Sequence, residues 1–351
     1  MKQRCSDRRL FQKAGCWILP LVLGMSVVAP SSQAADLNQQ LGIPLNNGTL
    51  NNTREQADDL MRLGKVQEAD GFVAQAIQSW QRALKQYQQI GEVPSQILAY
   101  RYLGAAYLQQ GQVELAEDAF RRQLATARDR QDIDEQILAL NSLGRVLVQR
   151  GSITSPLNLF TEALSLAHQI GSPYGQALSH NSLGLFAAGL KDYDRALDHY
   201  QQAIEASRRA SDPILEANTL NNQGDSYRVR QQFRDATTAY SLALRLAGQH
   251  RDRPAQYRAI DGLVASLIPT GGAKTALNLL NQRFQLAQSL EDWQQMLVSQ
   301  KLLAQLYQDQ GDYPRAKQAY QEAIAIARSL QDSQQESILI NRLVSLSKKQ
   351  R

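Results

Sequence analysis

The chain has 351 residues, 43% of them hydrophobic and 20% charged, with a formal net charge of +5. That apolar content excludes a wholly disordered chain, and two cysteines exclude a disulfide-dense scaffold. Only one stretch is apolar enough to approach a membrane, and it lies at the N-terminus, which excludes a multi-span membrane protein.

Residues 1–13 carry Lys2, Arg4, Arg8, Arg9 and Lys13 against the single acid Asp7. Residues 14–30 then run apolar, and Ser32-Gln33-Ala34 puts small residues where a signal peptidase reads. Basic, apolar and cleavable segments in that order make a secretory signal peptide. Residues 1–34 are therefore expected to be removed. The mature chain would begin at Ala35, exported to the periplasm or the extracellular space, with no stable membrane insertion. The alternative is an uncleaved membrane tether, for which a short run broken by Pro20 is marginal. Removal leaves 33 basic against 32 acidic residues, net +1, so the positive balance belongs to the leader and does not point to nucleic acid. Cys5 and Cys16 leave with it, which suits an oxidising compartment and excludes a catalytic cysteine. Residues 35–55 are rich in Asn, Gln and Gly without an apolar period, and are expected to form a flexible linker.

From there the chain repeats every forty residues. Gly71, Gly111, Gly151, Lys191, Gln231, Gly271 and Gly311 are the anchors, without a gap. Five residues on stand Ala76, Ala116, Pro156, Ala196, Ala236, Ala276 and Ala316. Nine on stand Trp80, Phe120, Phe160, Tyr200, Tyr240, Leu280 and Tyr320. Seven before the anchors come Gly64, Gly104, Gly144, Gly184, Gly224, Val264 and Ala304. Each unit reads as two helices, because the apolar residues fall at spacings of three and four on both sides of the anchor. Small residues on both helices let the backbones approach, and the aromatic fills the space beside them. Asp132, Ser172, Asp212, Asp252, Asp292 and Asp332 stand where helix caps belong. Pro156 suits a helix that starts late. Val264, and Arg283 in a column otherwise mostly Ala, predict looser packing in the sixth repeat.

This pattern resembles the tetratricopeptide repeat (TPR), best in Gly311-Asp312-Tyr313-Pro314-Arg315-Ala316 and on to Tyr320. The usual unit has 34 residues. The forty-residue form is similar to the repeats of kinesin light chains and of the Leu-Gly-Asn-rich polarity adaptors. The resemblance implies an all-α, right-handed solenoid: seven helix pairs over residues 56–335, closed by a capping helix at 336–351. It also implies a non-enzymatic scaffold or adaptor that binds an extended segment of a protein partner in a concave groove. The alternative is a regulatory or sensor subunit that gates an envelope enzyme.

No phosphate loop, GxSxG or clustered Asp pair appears, and the four histidines form neither HxxxH nor HExxH. No catalytic set, cofactor or metal is expected, and His180 reads as a structural core histidine. One stripe remains. Arg101, Asn141, Asn181, Asn221 and Asp261 share one register on successive first helices. Arg145 and Asp225 lie four residues beyond it, and Arg228 seven beyond. Leu98, Leu138, Leu178, Leu185 and Val148 surround it. In the resembled repeats this face lines the groove, where Asn hydrogen-bonds peptide backbone. Mid-helix Asn has poor helix propensity, so three in register call for a cause. Either they offer amides to a peptide, or they bridge neighbouring helices and were copied by duplication. The leucines suit apolar ligand side chains, and Arg101 and Arg145 suit an acidic group.

Overall fold

The computed structural model describes residues 48–349. The expected signal peptide, and the expected linker up to residue 47, lie outside them. Among the described residues there are fifteen α-helices, one short 3-10 turn and no strand. In chain order they are α1 (Gly48–Ala69), α2 (Val73–Ile90), α3 (Val93–Gln109), α4 (Val113–Asp129), α5 (Ile133–Gln149), α6 (Thr154–Gln169), α7 (Pro173–Gly189) and α8 (Tyr193–Arg209). There follow α9 (Pro213–Val229), α10 (Phe233–Gln249), α11 (Arg253–Leu267), α12 (Ala273–Ser289), α13 (Trp293–Asp309), α14 (Tyr313–Ser329) and α15 (Ser333–Lys349). Odd-numbered helices are the first of each repeat, and α15 stands where the capping helix is expected. None is long and apolar enough to cross a membrane. The chain divides into two compact units, Met1–Leu215 and Glu216–Arg351.

Residues 48–55, expected as linker, extend α1 instead. Ala57 and Met61 are buried in the core with Trp80, and a helix anchored there lengthens at little further cost. α6 begins at Thr154, one residue later in register than α4, with Pro156 buried in its first turn.

The connections follow a twenty-residue rhythm. A left-handed residue stands at Gly71, Gly91, Gly111, Gln131, Gly151, Gly171, Lys191, Ser211, Gln231, Arg251, Gly271, Glu291, Gly311 and Gln331. Each closes the preceding helix in the same way. At Gly111 the amide donates to Leu108 O (3.0 Å), and the next amide, of Gln112, donates to Tyr107 O (2.8 Å). All six expected caps are made, from Ser172 Oγ accepting the Gly175 amide at 3.2 Å to Asp212 accepting that of Leu215 at 2.9 Å.

Gln231 holds φ at 60° with a side chain attached, a conformation that L residues adopt at a cost and glycine does not. Gln231→Gly is expected to stabilise the second unit by about 0.5–1 kcal/mol. Urea denaturation that showed no gain would remove strain from this turn.

The core is a column of rings on glycines. A Cβ built on Gly64 would lie 2.2 Å from the Trp80 ring, on Gly104 2.6 Å from Phe120, and on Gly144 2.4 Å from Phe160. In the second unit Gly224 and Gly262 both meet the Tyr240 ring, at 2.7 and 2.3 Å. The rings are buried, as are the alanines five and twelve residues past each anchor. α11 and α12 of repeat six share less contact than the helix pairs of repeats one to four and seven, as the sequence predicts. The added methyls of Val264 are matched by Leu280 in place of the ring, and both side chains belong to one buried cluster.

Candidate functional site: the exposed face of the first helices

In the first unit, α5 packs against both α3 and α7, so equivalent residues of three successive first helices form one face. Leu98, Leu138 and Leu178 occupy one register on it and are half-buried, as are Val148 and Leu185 further along. Their inner sides rest on the core, Val148 against Phe160 and Phe186, and Leu185 beside Ala187 and Tyr200.

Arg101 donates to Glu135 Oε1 at 3.1 Å, and the other oxygen of Glu135 accepts from Gln123 Nε2 at 2.9 Å. Its charge is thus largely answered inside the array. Arg145 differs. It is half-buried, and among the described residues it makes neither a hydrogen bond nor an ion pair. Desolvation alone pulls its guanidinium down to about 10, so it stays charged at neutral pH. Its counterparts in register on the flanking helices are Ala105 and Leu185.

The asparagine ladder is largely closed. Asn141 is 1% exposed; its amide donates to Ile137 O at 2.9 Å and to Ser179 Oγ on α7 at 3.0 Å. Asn221 is fully buried and donates to Ala255 O on α11 at 3.2 Å. These two amides tie one first helix to the next, as duplication-copied bridges would, and do not face outward to a peptide. Asn181 is half-buried. The cause is geometric: their register turns toward the neighbouring first helix before it reaches the open face.

The acidic candidates of the second unit are also engaged. Asp225 accepts from Tyr240 Oη at 2.6 Å and from Arg258 at 2.5 Å, with Arg228 at 4.0 Å. Asp261 is paired with Arg283 at 2.8 Å. Burial raises the Asp261 carboxyl, and Arg283 pulls it back. Arg283 itself is 2% exposed and donates further to Ser299 Oγ (2.8 Å), Gln295 O (3.0 Å) and Gln295 Oε1 (2.7 Å), with its guanidinium 4.8 Å from the centre of the Tyr257 ring. Gln123 and Arg283 hold the same register, and both reach a side chain at the same place on the next first helix. The polar residue in the alanine column is a stitch between repeats, not a defect.

Two features escape the sequence reading. Tyr174, at the start of α7, is 42% exposed. Burial and the charges of Asp212 and Glu135 raise its phenol, opposed by Arg101, so it shares a neighbourhood with those side chains. The signal was an aromatic in a column that elsewhere reads Pro94, Asp134 and Ile214. The second is a meeting of three histidines. The His180 and His199 Nδ1 atoms are 3.2 Å apart, and the His168 ring stands edge-on to His180 with centroids 6.4 Å apart.

Among the described residues no group of three or more His, Cys, Asp or Glu side chains could hold a metal ion. The arrangement on the first-helix face offers apolar surface, one unanswered cation and an aromatic rim. That chemistry suits recognition.

A tetratricopeptide repeat model matches residues 56–129, 175–249 and 258–329, and a second one matches 138–211. A search of curated proteins finds no match. Among solved structures, the chain is similar to a STAND signal-transduction ATPase with a tetratricopeptide repeat sensor from Pyrococcus horikoshii, at 15% identity and a TM-score of 0.59. That match covers 83% of this chain and 45% of the ATPase, so the chain spans under half the length of that protein. It is also similar to a Rap protein complexed with competence and sporulation factor, at 12% identity and a TM-score of 0.53, covering 86% of this chain and 98% of that one. A Rap conjugation gene regulator of plasmid pLS20 in complex with the Phr* peptide matches at 16% identity and a TM-score of 0.55, covering 77% and 75%. With family models matching most of the array, and helix pairs, turns and ring-on-glycine packing to the same pattern, the chain belongs to the tetratricopeptide repeat family.

Proposed function

We propose that this protein is a non-enzymatic scaffold whose first unit receives an extended, apolar and acidic segment of a partner protein along α3, α5 and α7. The observation that carries the reading is Arg145, a half-buried cation without a partner among the described residues, on a face of half-buried leucines. A buried charge left unpaired is unfavourable, and a carboxylate on the ligand removes that cost on binding. Two Rap proteins of the same fold are each in complex with a peptide or factor, which supports a peptide ligand. The leader reading supports an encounter outside the cytoplasm.

Peptides selected from a random displayed library on the untagged mature chain are expected to carry an Asp, a Glu or a free carboxyl terminus among apolar residues. Binding should weaken as salt is raised. Arg145→Glu should cost those peptides about tenfold or more in affinity, the worth of one charge-assisted pair. Selected peptides without acidic groups, or equal affinity for the variant, would overturn the reading.

A further inference from the structure

Two first helices of the second unit, α11 and α15, carry the same apolar triad: Ile260-x-x-Leu263-Val264 and Ile340-x-x-Leu343-Val344. Their surroundings differ. In α11 the three side chains are 3%, 4% and 7% exposed. In α15, Ile340 and Val344 are 38% and 50% exposed, and Leu343 is half-buried. The opposite side of α15 is seated, with Leu339 and Leu346 buried in the cluster that it shares with α14. Ile340 and Val344 are four residues apart and so lie on one face. In the repeats that face takes the second helix of the same repeat, as Gly104 takes the Phe120 ring and as Val264 meets Leu280. Among the described residues no second helix covers α15.

We propose that this face of α15 is a docking site for one amphipathic helix of a partner protein, built like α12, which completes an eighth repeat on the second unit. Arg145 and the leucine-lined face of the first unit take no part in it. The interface between first and second helices continues onto α15 with the residues of α11 in place. The matching pattern is therefore that of α12, whose Ala276 and Leu280, four apart, are buried in the same cluster as Ile260 and Val264.

Two columns sharpen the specificity. Of the eight first helices, only α11 and α15 have valine in the column that reads Gly64, Gly104, Gly144, Gly184 and Gly224, with Ala304 in α13. A Cβ on any of those glycines would lie 2.2 to 2.7 Å from the ring above it. Val344 therefore occupies a ring's place, and the docked helix must offer leucine there, as Leu280 does. The second column concerns charge. Arg283 of α12 answers Asp261 at 2.8 Å, but α15 has the neutral Asn341 at that register, exposed. Opposite Asn141, Asn181 and Asn221 the second helices carry Ala163, Ala203 and Ala243, so the docked helix carries a small uncharged residue.

The probe is a fluorescent synthetic peptide of residues 271–291 with Arg283→Ala, titrated into the untagged mature chain and followed by anisotropy. Saturable binding of one peptide per chain is expected in the micromolar range, since an isolated helix of this length must be ordered on binding. Ile340→Glu with Val344→Lys changes only exposed positions and sets opposite charges four apart, which supports the helix. Circular dichroism should be unchanged in that double variant, and binding should fall about tenfold or more. A Leu280→Phe peptide separates a shaped seat from a general apolar patch. It carries more apolar surface, yet it should bind about tenfold more weakly, because Val344 stands where a ring would lie. No saturable binding, binding unchanged in the double variant, or tighter binding of the Leu280→Phe peptide would overturn the proposal. Self-association of the chain that the same double variant abolishes would also overturn it, giving the face to a second copy. So would peptide binding that appears only once residues 35–47 are removed, giving the face to the chain's own N-terminal segment.

Discussion

Arg283→Ala is expected to destabilise residues 216–351 by about 3 kcal/mol, and adding Asp261→Asn should recover most of it. The single change leaves Asp261 beside an empty slot, stripped of the cation that offsets its burial, and leaves Ser299 and Gln295 short of a donor. Removing one member of a buried pair typically costs about 3–5 kcal/mol. We take the low end because the Asp261 side chain is 37% exposed. The double change recreates what repeats three to five already contain, an asparagine on the first helix with an alanine in the partner column. Chemical denaturation of the two variants decides it. If the pair of changes were as damaging as Arg283→Ala alone, the contacts to Gln295 and Ser299 would carry the stability, and the ion pair would not.

The second large effect concerns the ring columns. Gly104→Val drives a side chain into Phe120, since even its Cβ would lie 2.6 Å from the ring. Overpacking of this kind costs about 1–3 kcal/mol or more. Phe120→Leu alone should cost less, by leaving part of the ring volume empty. Together the two copy the Val264 and Leu280 arrangement of repeat six, and they should destabilise less than the sum by about 1–3 kcal/mol. A double-mutant cycle that closes at zero would mean that ring and glycine tolerate change independently, against the geometry described above.

These predictions rest on two different kinds of legibility. The fold was readable because the same physical demand recurs seven times. A glycine under most rings, an alanine at most close crossings and a capping side chain before six of the first helices leave marks at fixed spacing. The site was readable only as a register. Spacing placed Asn141 and Asn221 on a stripe. It did not show that Ser179 and the Ala255 carbonyl, 38 and 34 residues on, would take their amides. Arg283 looked like a packing fault because its partners Gln295 and Ser299 belong to the next repeat. His168, His180 and His199 stand 12 and 19 residues apart and fit no local motif. Contacts that run from one repeat to the next have no short-range signature, and they decide which polar residues on a shared face remain available. Among the described residues, Arg145 is the one cation of the expected set without a hydrogen-bond or ion-pair partner.

The turn every twenty residues bears on how such a gene changes. Connections within and between repeats share one conformation, with a left-handed residue at Gly111 within a repeat and at Gln131 between two. Most helices have 17 residues. Unequal crossing-over therefore has a permissible breakpoint at either kind of turn. An insertion or loss of forty codons cut at any two equivalent turns keeps every glycine under a ring. One of twenty codons does not: it places a first-helix sequence in a second-helix slot, where its glycine meets no ring and its asparagine meets solvent. Copy number can drift in such a lineage, but only in whole pairs.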